Sequence, residues 1–152
     1  MAKQWTATKP LFLSRMLTIA SMAIAVITLF CIPYLAEWYD AISGNPPIRN
    51  QLIVCLYISD ALGILALWQL HRLLRNINLQ RVFVSENAAC FRVIAWCCFA
   101  VAGLWLFMFV TCRRFHEFII AFMAAFAGLI IRVIKNLLDA AVELREENDY
   151  TI

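Results

Sequence analysis

The sequence predicts an all-α integral membrane protein, a four-helix bundle whose fourth helix extends into the cytoplasm. Hydrophobic residues make up 64% of the chain and charged residues 15%, whereas soluble domains average about 45–50% apolar and about 25% charged residues. Four apolar runs alternate with short polar connections, and the 152 residues leave no room for a separate soluble domain. The last run continues without Pro or Gly into an amphipathic segment.

The first two spans are predicted over residues 16–36 and 50–70. The first run holds 21 residues without a charge, which is long enough to cross a hydrocarbon core of about 30 Å. It fits a retained helix better than a cleaved signal peptide, because it is too long and lacks an A-x-A cleavage site. Gly and Pro residues at positions 44–47 then predict a turn between the two spans.

The third and fourth spans are predicted over residues 93–112 and 118–134, with a helical extension and tail over 135–152. Ser85 has the side chain of an N-cap and is predicted to be the N-cap of the third helix, with Glu86 at the positive end of that helix. The connection between the last two spans is so short that we expect these helices to be antiparallel neighbours.

The distribution of basic residues predicts the orientation. The N-terminus, the second loop and the C-terminal segment hold 10 of the 13 Lys and Arg residues. Because cytoplasmic loops are enriched in Lys and Arg, both termini are predicted to lie in the cytoplasm.

Two charged residues are predicted inside or near the membrane. Asp60 is the eleventh residue of the 21-residue second span, and a carboxylate at that depth is costly unless it is paired or hydrated. It is either an ion or proton site, or a hydrogen-bonded group in helix packing. Arg132 lies about 9 Å inside the boundary by helix rise, where it can pair with Asp60 or extend to the interface.

Nothing in the sequence predicts catalysis. No Ser–His–acid set, H-E-x-x-H motif or phosphate loop is present, so we expect no catalytic, metal or cofactor site. The six cysteines lie in or near apolar runs, without a C-x-x-C pair, and are predicted to be small buried apolar residues. Small residues four apart, such as Ser59 and Gly63 or Ala124 and Gly128, favour close packing within the bundle or between copies of the chain.

The C-terminal segment is the most distinctive part of the sequence. Its amphipathic helix either packs on helix two or the headgroups, or docks a cytoplasmic protein. Glu143, Glu146, Glu147 and Asp149 outweigh the single basic residue Arg145. Such a tail repels nucleic acid and anionic lipid, so a basic protein is the more natural partner and direct nucleic-acid binding is not expected.

Two segments resemble a known family. The segment from Phe83 to Asn87 resembles the Phe-x-x-x-Asn motif before the third helix of the bacterial membrane proteins called domain of unknown function 2975. The ending Glu147-Asn148-Asp149-Tyr150-Thr151-Ile152 resembles the family's typical finish, with Tyr150 in place of leucine. The similarity covers essentially the whole chain, and it implies a bundle of four helices in the bacterial inner membrane.

The resemblance also implies a function. Family members are commonly encoded beside a very small Xre-type helix-turn-helix regulator, which implies a non-enzymatic regulatory protein that binds such a factor. The implied partner-binding residues are Glu146, Glu147, Asn148, Asp149, Tyr150, Thr151, Ile152, Phe83 and Asn87. The alternative is a small transporter, channel or immunity-type protein that uses Asp60.

Overall fold

The structure, a computed structural model, describes residues 5–43, 47–79 and 84–149. All regular elements in these ranges are α-helices. They are α1 (Trp5–Ser43), α2 (Arg49–Asn78), α3 (Ser85–Cys112) and α4 (Phe115–Asp149). Each of the four is long and apolar enough to cross a membrane. The prediction of an all-helical fold with four helices that are candidates to span a membrane is therefore confirmed for the described residues.

The helices pack in chain order, each against the next, and alternate in direction. The bundle therefore has two ends. The turn end holds the ends of α1 and α3 and the starts of α2 and α4, and the tail end holds the starts of α1 and α3 and the ends of α2 and α4. At the turn end, the backbone N–H of Ile48 donates a hydrogen bond to Asp40 Oδ1 over 3.2 Å, which ties the start of α2 to the end of α1.

The α3–α4 connection is a tight turn of two residues. Arg113 adopts the left-handed conformation, with φ of 52°, and its N–H donates to the carbonyl of Phe109 at 2.8 Å. A left-handed residue after a helix satisfies carbonyls that the ending helix leaves open and reverses the chain. α3 and α4 are antiparallel neighbours, as the short connection predicts.

The main core lies near the turn end. Trp105 and Met108 of α3 pack there with Leu52 and Cys55 of α2, and Ala121 of α4 closes the cluster. Much of the remaining apolar surface is exposed in the isolated chain; Phe30 is 77% and Phe107 68% exposed. Large exposed apolar side chains all round a bundle indicate a surface that hydrocarbon covers.

The predicted start of α3 is wrong by one residue. The N-cap position is Val84, which has an extended backbone and no capping side chain, and Ser85 is the first helical residue. The N–H of Asn87 donates instead to the Val84 carbonyl at 3.0 Å. Tertiary packing of the first turn of α3, described below, holds this end in place of a side-chain cap.

Candidate functional site

The part of α4 beyond its uncharged run carries an exposed apolar stripe. Ile130, Val133, Leu137, Ala140 and Leu144 are all exposed, and we call them the α4 seam. They follow one another at spacings of three and four residues, which places them on one side of a helix. The predicted amphipathic face thus consists of a half-buried part and an exposed part. Leu138, Ala141 and Val142 are half-buried, whereas the α4 seam is not covered by the described residues.

The α4 helix is longer than a membrane is thick. Its 35 residues correspond to about 52 Å at 1.5 Å per residue, against a hydrocarbon core of about 30 Å. If α4 enters the membrane near Phe115, roughly its last 15 residues lie outside it. Leu137, Ala140 and Leu144 of the α4 seam belong to these last residues.

Most of the predicted partner-binding residues lie at the edge of the described chain. Glu146, Asn148 and Asp149 belong to α4 by their backbone, and Glu147 is exposed there. Phe83 and the segment 150–152 lie outside the described residues. The structure therefore places the acidic end of the tail on a continuous helix that also carries the α4 seam.

Asn87 does not fit the predicted role of direct partner contact. Its side chain is 1% exposed, and its Oδ1 accepts a hydrogen bond of 2.9 Å from Nδ2 of Asn76, itself 7% exposed. The bond joins the last turns of α2 to the first turn of α3. A buried polar pair of this kind positions two helices relative to each other, because leaving either amide unpaired is costly. Asn87 therefore helps to hold α2 and α3 together inside the tail end of the bundle.

Breaking this pair is expected to destabilise the protein. Asn87→Ala should lower the free energy of unfolding by about 1–3 kcal/mol, because the buried Asn76 amide loses its acceptor. In a double-mutant cycle with Asn76→Ala, the two losses should overlap by about 1 kcal/mol. Unfolding in SDS followed by circular dichroism measures all four proteins. Asn78→Ala, an exposed change on the same helix, should stay near wild type; additive losses at 76 and 87 would contradict the pairing.

Asp60 and Arg132 are not brought together. Asp60 is half-buried on α2, and its Oδ2 has no hydrogen-bond partner among the described residues. Its neighbour Ser59 accepts a hydrogen bond from Trp105 Nε1 at 3.0 Å, which fixes this part of α2 against α3. Arg132 lies on α4, which packs on α3, and no described ion pair links it to Asp60. The structure therefore does not place Arg132 beside Asp60, where the hypothesis of a transporter or channel would use a second charged residue.

The sequence analysis missed a buried carboxylate at the turn end. Glu117, in the first turn of α4, is 0% exposed, and neither carboxylate oxygen has a hydrogen-bond partner among the described residues. The thiols of Cys55 and Cys112 are within electrostatic reach. One signal was present in the sequence: Glu117 precedes Ala121 by four residues, on the line of small residues that continues to Gly128.

Polar contacts next to Glu117 join the first and last helices. Tyr39 Oη of α1 is 3.0 Å from His116 Nε2 of α4, and the Arg114 guanidinium lies 5.3 Å from the centre of the Tyr39 ring. A cavity of about 670 Å³ opens between these groups and Gln51. These contacts link α1 to α4 at the turn end, although α1 and α4 do not pack along their lengths.

The cysteines form neither disulfides nor a metal site in the described chain. All six are free thiols; Cys55, Cys90 and Cys97 are buried, and Cys31 is exposed. No group of three or more His, Cys, Asp or Glu residues among the described positions could hold a metal ion. The prediction of small buried residues therefore holds for three of the six, whereas Cys98 and Cys112 are half-buried and Cys31 is exposed.

Comparison with known proteins identifies one relationship. A family model described as a protein of unknown function (DUF2975) matches residues 14–152, which is nearly the whole chain. No curated protein and no solved structure matches. The family match agrees with the resemblance seen at the Phe-x-x-x-Asn segment and at the C-terminal ending.

Proposed function

We propose that this chain, which belongs to the DUF2975 family, is a non-enzymatic regulator that holds a small helix-turn-helix transcription factor at the membrane. The four apolar helices act as the anchor, and the end of α4 is the docking element in the cytoplasm. The observation that carries the proposal is the α4 seam, an exposed apolar stripe that continues past the length needed to cross the membrane.

The spacing of the α4 seam favours a helical partner. Val133, Leu137 and Leu144 are 57%, 66% and 66% exposed. Alternating three- and four-residue spacing is the pattern by which one helix packs along another, and amphipathic helices are common recognition elements. Water would otherwise cover the part of the α4 seam from Leu137 to Leu144, so burial of that part against a partner supplies a driving force of about 25 cal/mol per Å² of apolar surface.

The charge of the same segment favours a basic partner. Residues 135–149 contain Asp139, Glu143, Glu146, Glu147 and Asp149 against Lys135 and Arg145. Opposite charge steers association and selects partners. A small DNA-binding protein has a basic surface for nucleic acid, and a membrane protein that covers such a surface competes with DNA. The family's common gene neighbour, a small Xre-type protein, has this chemistry by analogy.

Removing the docking element is expected to abolish capture of the partner. The probe is a small Xre-type helix-turn-helix protein, mixed with the detergent-solubilised full chain and with a form ending at Arg145. Full-length protein should retain the probe, and the shortened form should retain at least ten-fold less, because it lacks the acidic ending. The measurement is the amount of probe retained on the immobilised membrane protein.

A matched pair of variants separates the α4 seam from general effects. Leu137→Glu with Leu144→Glu should also lose the probe, whereas Leu79→Glu should keep it. Leu79 is 60% exposed at the same end of the bundle but follows α2. If all variants retain the probe equally, the docking assignment is wrong. If cross-linking shows two copies of this chain joined along the α4 seam instead, the proposed partner is wrong.

A further inference from the structure

A small cationic cavity lies between α3 and α4 towards the tail end. Its volume is about 160 Å³, and it is open on one side. The charged and polar lining residues are Arg92 from α3 and Arg132, Lys135 and Asn136 from α4; Trp96 and Phe99 form its apolar wall. From the sequence, Arg132 was predicted to pair with Asp60 or to extend to the interface, and its proximity to Arg92 was not predicted.

The positive charge of this cavity is not balanced within the described chain. Lys135 pairs with Asp139 at 2.5 Å, one turn further along α4. Neither Arg92 nor Arg132 forms an ion pair with a described residue. Three cations facing one cavity with a single acid beside them repel each other, and a bound anion removes that repulsion. Guanidinium groups also match the oxygen atoms of a phosphate in a two-point geometry.

The two arginines lie at the same end of the α3–α4 pair. Arg92 directly precedes the uncharged run 93–112 in α3, and Arg132 directly follows the uncharged run 118–131 in α4. Because α3 and α4 are antiparallel, these two positions come close together and line one cavity. Trp96, one turn further along α3, is 65% exposed. Tryptophan is enriched at membrane–water interfaces, where one side is apolar and the other polar.

We propose that the cavity binds the phosphate group of an anionic phospholipid, with the acyl chains running outward along Trp96. Its volume is below the ~300–1,000 Å³ of sites that enclose a whole drug-sized molecule. It suits a small anionic group that is attached to something outside. Basic pockets between membrane helices at the interface have the chemistry to bind acidic lipid headgroups. This inference is independent of the α4 seam and of any protein partner.

Lipid binding tests the proposal directly. Native mass spectrometry of the full chain in detergent, titrated with phosphatidylglycerol, should show a bound lipid at concentrations where phosphatidylcholine does not bind. Arg92→Gln with Arg132→Gln should weaken phosphatidylglycerol binding roughly 30-fold, since each basic residue beside an anionic lipid contributes a factor of about five. Arg92→Lys with Arg132→Lys should fall between these proteins, because charge is kept and the two-point geometry is lost.

Arg15→Gln is the matched control, since Arg15 is an exposed arginine of α1 outside the cavity, and it should bind like wild type. Equal binding by wild type and the double Gln variant would overturn the site. Equal binding of phosphatidylcholine would overturn the role of net charge. If inorganic phosphate at millimolar concentration displaces phosphatidylglycerol and binds as tightly, the ligand is a free phosphate and the lipid assignment is wrong.

Discussion

Replacing Gly128 with leucine is expected to force α3 and α4 apart, with the largest loss of stability we expect from one substitution in this chain. A Cβ atom at Gly128 would lie 3.2 Å from Cys98 Cβ and 3.2 Å from the Phe99 ring. Cys98 Cβ is fixed to the backbone and cannot rotate away. Overpacking typically costs about 1–3 kcal/mol, and a leucine here should cost at least the upper value. SDS unfolding followed by circular dichroism measures the change.

Gly63→Leu is the matched control. Gly63 also lies within a membrane helix, but a Cβ added there meets no atom within 4 Å. Glycine is about 1 kcal/mol less favourable than the best helix formers, so this substitution should be neutral or slightly stabilising. Equal stability of the two leucine variants would show that α3 and α4 are not in close contact at Gly128.

Gly63 and Gly128 show which part of the helix packing can be predicted from the sequence and which part cannot. Both occur in small-x-x-x-small patterns, Ser59 to Gly63 and Ala124 to Gly128. Only at the glycine of the second pattern would an added Cβ meet atoms of a neighbouring helix within 4 Å. The pattern identifies a helix face that permits close approach, but it does not specify which of the other helices packs against that face. That information depends on the packing of all four helices at once.

The membrane spans were predictable for a physical reason. Unpaired backbone groups are very costly in hydrocarbon, so long apolar runs in a bilayer become helices almost without regard to local propensity. The start of α3 was less predictable. Ser85 has the side chain of an N-cap, yet it is the first helical residue and Val84 occupies the N-cap position. The buried contact of Asn87 with Asn76 fixes this first turn. Here tertiary packing outweighs the local capping signal.

Some features of the candidate sites can likewise be predicted from the sequence, and others cannot. An exposed stripe such as the α4 seam follows from helix spacing, because the helix is regular. The burial of Asn87 and the convergence of Arg92 with Arg132 depend on two helices meeting at one depth. A motif shared with a family shows that a residue type is characteristic there, but it does not distinguish surface contact from internal support.

Replacing Glu117 with methionine is expected to stabilise the protein. Methionine has a similar length and no polar atom that needs a hydrogen bond. Burying a polar group without a partner costs about 1–3 kcal/mol in proteins, and the free energy of unfolding should rise by about that amount. The opposing term is the positive end of α4, which favours an acid in the first turn by about 0.3–1 kcal/mol. The burial cost is the larger of the two.

Glu117→Gln separates charge from polarity. Glutamine keeps the shape of the side chain and two hydrogen-bonding atoms, but it carries no charge. If burial of polar atoms dominates, glutamine should give a stability between those of wild type and methionine. Glu143→Gln is the control, because Glu143 is exposed near the end of α4 and its substitution should change stability by less than about 0.5 kcal/mol. The same SDS unfolding measurement compares all four proteins.

The direction of the methionine result decides what Glu117 does in the folded protein. A gain in stability means that the chain keeps a destabilising carboxylate among Cys55, Cys112 and the core of the turn end. Residues kept at a cost in stability inside membrane proteins mark functional positions more often than structural ones. A loss in stability means that the carboxylate is paired when folded, most directly with Arg114 of the preceding turn. Glu117 would then be a structural link between the α3–α4 turn and the core, and the burial argument would fail.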